Sequence, residues 1–109
     1  MAYNQELAEK IRQQINSHPA FSERKMFGGI GFMIAGNMAC GVHEDGLMAR
    51  VGKENYEDAL AQPHVTEFMG SGRPMKGWIR LTAEGCADPQ ILKHWIDKSV
   101  VVAEALPPK

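Results

Sequence analysis

Between Gln5 and Ser17 the apolar residues Leu7, Ala8, Ile11 and Ile15 recur three and four apart, with Glu, Lys, Arg and Gln between them. That spacing draws one apolar stripe along an α-helix. Asn4 is placed to accept an orphan N–H of the first turn. His18-Pro19 ends the element, because the residue before a proline is pushed out of the α region. From Arg24 to Val51 the period becomes two. Ile30, Phe32 and Ile34 alternate and meet turn chemistry at Ala35-Gly36-Asn37. Met38, Cys40 and Val42 alternate next, sharing one strand face, and Glu44-Asp45-Gly46 supplies a second turn. Leu47, Ala49 and Val51 form a third run. Three strands joined by tight turns predict an antiparallel meander.

Lys53–Gln62 reads as a short helix with Tyr56, Ala59 and Leu60 on one side, broken by Pro63. His64–Met69 and Trp78–Thr82 read as two more strands, joined by a long flexible connection, Gly70-Ser71-Gly72-Arg73-Pro74-Met75-Lys76-Gly77. Asp88 is an N-cap and Pro89 a first helical residue, where a missing N–H costs nothing. Ile91, Leu92, Trp95, Ile96, Val102, Ala103 and Leu106 carry the stripe onward to Pro107-Pro108. The order α-β-β-β-α-β-β-α excludes a doubly wound sheet. It predicts an α+β two-layer sandwich with a five-stranded antiparallel sheet, one domain over residues 1–109.

A chain of 109 residues, 44% hydrophobic and 23% charged, fits a single globular core. The net charge of −1 lacks the basic excess of a dedicated nucleic-acid binder. The N-terminal residues show no basic region followed by an apolar stretch, and no apolar run reaches the ~18 residues of a membrane span. A cytoplasmic protein with no membrane association is expected, its Cys40 and Cys86 reduced.

Candidate chemistry thins out on inspection. Gly28-Gly29-Ile30-Gly31 lacks the Lys and Ser/Thr of a phosphate loop and runs into a strand rather than opening a helix. His18, His43, His64, His94 and the two cysteines do not fall at zinc-ligand spacing, so no metal is expected. Ser71 stands outside a nucleophile elbow. Cys86, in Glu84-Gly85-Cys86-Ala87, reads as an exposed thiol close to a helix N-terminus, without a paired base. No catalytic residue and no cofactor are assigned, and the chain is read as no enzyme.

Two features remain. Arg24-Lys25 before one glycine motif and Arg73 with Lys76 in the other, beside Trp78, would suit an anion or a nucleic-acid backbone. The sheet supplies the second. With Ile30, Phe32, Leu47, Ala49, Ile79 and Leu81 facing helices, Met33, Met48, Arg50, Trp78 and Arg80 point to the other side. Met and Trp with interspersed Arg match the composition of protein interfaces.

The runs Arg24-Lys25-Met26-Phe27-Gly28-Gly29-Ile30-Gly31-Phe32-Met33 and Gly46-Leu47-Met48-Ala49-Arg50-Val51-Gly52 resemble the opening of the TfoX/Sxy family's N-terminal domain. Gly72-Arg73-Pro74-Met75-Lys76-Gly77-Trp78 and Leu106-Pro107-Pro108-Lys109 resemble its short, stand-alone single-domain members. The resemblance implies a two-layer fold with an antiparallel sheet and brings no catalytic residues. Full-length members join this domain to a helical C-terminal domain and regulate natural competence genes through the transcription machinery. The chain ends where that second domain would begin. The leading expectation is a regulatory interaction module acting through a protein partner or self-association. An anion- or small-ligand-binding domain using Arg24, Lys25, Arg73 and Lys76 is the alternative, and a nucleic-acid-associated coactivator the third.

Overall fold

The computed structural model describes residues 3–26, 29–70 and 72–108. Phe27, Gly28 and Ser71, and with them the centre of the first glycine motif, lie outside the described residues. Helix α1 spans Gln5–Ile15, and the Asn4 side chain accepts from the Leu7 amide at 3.0 Å. Leu7, Ala8, Ile11 and Ile15 are its buried stripe. Strands β1 (Phe21–Met26), β2 (Gly29–Ile34), β3 (Asn37–His43) and β4 (Gly46–Arg50) follow. Helix α2 (Tyr56–Leu60), strands β5 (Val65–Gly70) and β6 (Arg73–Leu81), and helices α3 (Ala83–Cys86) and α4 (Pro89–Glu104) complete the order. The strands form one antiparallel sheet in the order β1-β2-β3-β4-β6-β5.

The sheet therefore has six strands where the sequence pattern predicts five. The additional strand is β1, Phe-Ser-Glu-Arg-Lys-Met. As an edge strand pairing only with β2, it keeps charges at successive positions and shows no period-two alternation. The predicted long connection after Gly70 is also corrected. Arg73–Lys76 are strand, and the link between β5 and β6 shrinks to residues 71–72. These residues form a two-stranded ribbon with β5, beyond the last pair joining β4 to β6, Arg50 with Trp78.

Strand β3 departs from strict alternation as well. Phe32 pairs with Cys40 but Met33 pairs with Met38, so Ala39 is an extra residue bulged into β3. One inserted residue breaks the two-residue alternation. Ala39 and Cys40 both join the core, and Met38 emerges on the other side, separated from the face of Cys40 and Val42.

The helices stack on one face of the sheet. Helix α4 lies against β2, β3 and β4, α1 against β3, and α2 against β5 and β6. Between the layers sit Ile11, Ile30, Phe32, Val42, Leu47, Ile79, Leu81 and Ile96, all at 2% exposure or less. Helix α4 begins where the sequence predicts: Asp88 accepts from the amides of Gln90 and Ile91, and Pro89 is the first helical residue. Its sixteen residues rise about 24 Å, enough to cross five strands. No helix among the described residues covers the face opposite the helices.

Candidate functional site

That uncovered face is built from alternate positions of each strand. One lateral row runs Arg24, Gly31, Gly41, Met48, Arg80, Thr66, each the cross-strand partner of the next. A second contains the partnered residues Ser22, Met33 and Met38, and then Arg50 opposite Trp78. The rows place Met33, Met48, Arg50, Trp78 and Arg80 on the face away from the helices. They add Met38, brought there by the β3 bulge, and Phe68, whose ring lies 6.4 Å from that of Trp78. Met38 was not recoverable from alternation, because it sits beside a register shift, whereas Phe68 follows Thr66 by two residues along β5.

The surface is packed rather than loose. Met48 is only 8% exposed although no helix covers it. A Cβ on Gly41 would lie 2.6 Å from Met48 Cε and 2.9 Å from Met38 Cε, so both thioethers lie over the bare backbone of Gly41. Gly46 serves Arg80 in the same way, its missing Cβ position lying 2.7 Å from the guanidinium carbon. Glycines are thus the floor on which methionine and arginine lie flat. Arg50 is fixed by two contacts. Its Nε donates to the Met38 carbonyl at 2.8 Å, and its guanidinium carbon stands 4.8 Å from the centre of the Trp78 ring. Burial pushes the Arg50 guanidinium down from its ordinary value.

The basic pairs read from the sequence do not converge. Arg24 and Lys25 are exposed on β1, at one edge of the sheet. Arg73 and Lys76 are exposed on the β5–β6 ribbon, four strand spacings or roughly 19 Å across the sheet. Trp78 belongs with Arg50, not with a loop of cations. Cys86 is buried rather than exposed, its thiol directed at the Leu81 carbonyl 3.6 Å away. Burial pushes that thiol up from its ordinary value, against the lowering expected from a helix N-terminus. Cys40 is buried as expected for a small hydrophobe, and its thiol is pushed up to about 12.

Among the described residues no group of three or more His, Cys, Asp or Glu could hold a metal ion. No helix among them is long and apolar enough to cross a membrane. A shallow groove of about 230 Å³ lies on the helix side, lined by Gln62, Pro63, Gln90, Ile91, His94 and Trp95.

Fold and surface together define a class: an open-faced, two-layer α+β domain whose bare sheet carries methionine, arginine and aromatic side chains. Within that class the chain belongs to the TfoX N-terminal domain family, whose sequence model matches residues 13–103. No curated protein and no solved structure matches the chain.

Proposed function

We propose that the domain is a non-catalytic interaction module that binds another protein through the open face of its sheet. The observation that carries this reading is the packing of Met33, Met38, Met48, Phe68 and Trp78 on a face that no helix covers. Apolar side chains gathered in one patch and rimmed by arginine are the surface composition of a binding site, and methionine adapts its shape to a partner. Family membership supports a regulatory setting, with transcription control, including that of competence genes, exerted through protein contacts. The alternative anion site draws less support, since its two pairs of cations stand on β1 and β6, four strand spacings apart.

The test compares partners captured from the native cytosol, and the mass in solution by light scattering, for the wild type and for Trp78→Ala and Met48→Glu. The proposal expects a specific partner, or a dimer, that both variants lose while staying folded. Unchanged capture together with unchanged mass contradicts it.

A further inference from the structure

The charge on the open face identifies the chemistry of its partner, given the interaction reading above. Among the described residues the ion pairs do not involve the arginines of this face. Arg12 pairs with Glu9 and Glu23, Lys93 with Asp97, and His18 with Glu104, on the helix side or at the ends of helices, while the Glu44 carboxylate at the end of β3 lies 3.9 Å from His43 rather than against an arginine. Arg50 and Arg80 have no carboxylate partner among the described residues. They stand on adjacent strands, diagonal across the pair Arg50–Trp78, with the Arg80 guanidinium over Gly46 and that of Arg50 beside Trp78, four positions apart along β4. Arg50 is already held by the Met38 carbonyl and the Trp78 ring. Its terminal amino groups are thereby aimed before any partner arrives, and a side chain fixed in advance loses less freedom on binding.

We infer that the occupant of this face is an acidic, apolar protein segment, with carboxylates that meet Arg50 and Arg80 and apolar side chains that pack on Met33, Met38 and Met48. Carboxylates four apart on an extended strand project on one side at about 13 Å, which matches the separation of those two guanidinium positions along β4. A second copy of this chain fits the face less well. Two such faces would bring arginines together with no acidic strand position between them, a like-charge contact that costs affinity. A nucleic acid fits less well too, because the Trp78 ring is already covered by Arg50 and flanked by Phe68, leaving it a poor platform for a base.

A random-peptide library selected on the immobilised domain tests this, with enriched peptides re-measured against Arg80→Glu, Arg50→Glu and the milder Arg80→Gln. Enriched sequences should combine Asp or Glu with Leu, Phe or Met. Each charge reversal should weaken them by about tenfold or more, with Arg80→Gln intermediate. Enrichment of neutral or basic peptides that still need Met48 and Trp78 would overturn the acidic partner while leaving the interaction reading intact. Enrichment of nothing sensitive to any open-face substitution would overturn both. A single-stranded oligonucleotide that displaces the selected peptides and binds more tightly, or a dimer strengthened by Arg80→Glu, would overturn the inference in favour of that occupant.

Discussion

Two chemically identical substitutions, Gly41→Ala and Gly46→Ala, should differ sharply in cost, because different atoms stand where the new methyl goes. At Gly41 it would meet the Ile30 carbonyl oxygen at 2.5 Å, Met48 Cε at 2.6 Å and Met38 Cε at 2.9 Å. The methionine ends can swing aside. The carbonyl cannot, because it belongs to the paired backbone of β2 and β3. Overpacking of this kind costs about 1–3 kcal/mol. Replacing glycine with alanine returns about 0.4–1 kcal/mol by restricting the unfolded chain. The net expectation is a loss of roughly 1–2 kcal/mol. At Gly46 the three atoms nearest the methyl are guanidinium atoms of Arg80, at 2.7, 2.8 and 2.9 Å, the far end of a flexible side chain. There the entropic gain survives, and Gly46→Ala should be neutral or more stable by up to about 0.5 kcal/mol. Urea unfolding followed by circular dichroism measures both. With a slope of about 1.5 kcal/mol/M, Gly41→Ala should lower the midpoint by roughly 1 M. A Gly41→Ala protein as stable as the wild type, or a Gly46→Ala protein that is the more damaged, would refute the glycine-floor account.

Three further outcomes are expected. Phe32→Ala, which empties a fully buried site and removes the ring stacked 6.1 Å from Phe21, should cost about 3–5 kcal/mol in thermal or urea unfolding. Asp88→Ala removes the acceptor for two amides at the start of α4 and should cost about 1 kcal/mol, with Asp88→Asn recovering most of it. For the thiols, the folded chain holds Cys40 protonated up to about 12 while its unfolded value is the ordinary 9.0. The stability this contributes is therefore complete below about pH 9 and is lost as pH rises from there towards 12; Cys86, shifted in the same direction, adds to the effect. Cys40 alone should lower unfolding free energy by roughly 1 kcal/mol between about pH 8 and pH 10, and Cys40→Ala should remove that component. Both thiols should react with a thiol reagent only on unfolding.

Elements with strong local patterns were readable from the chain. The three- and four-residue spacing of Leu7, Ala8, Ile11 and Ile15, and the Asp88-Pro89 start, locate α1 and α4 because capping and amphipathicity are local properties. Alternation in β2, β4 and the second half of β6 determines which side chains share a face, and so the side on which Met33, Met48, Arg50, Trp78 and Arg80 lie. What could not be read depends on neighbouring strands. Polar β1 is a strand because β2 offers it an edge to pair with. Ala39 bulges because β2 and β3 must accommodate one residue too many, and that sends Met38 to the opposite face. Helix α3, four residues long, is too short for any periodicity to show. The separation of Arg24 and Lys25 from Arg73 and Lys76 follows from strand order, which local patterns do not encode.

The account rests on the open face being the surface that partners meet, and one comparison tests this most directly. Met48→Glu on the bare sheet and Val101→Glu on α4, where Val101 is 64% exposed, place the same charge on opposite sides of the domain. Binding of the captured partner is measured for both proteins by titration at matched folded fraction. The account predicts that Met48→Glu loses binding by about tenfold or more while Val101→Glu binds as the wild type does. Loss of binding by Val101→Glu, with Met48→Glu unaffected, would contradict it.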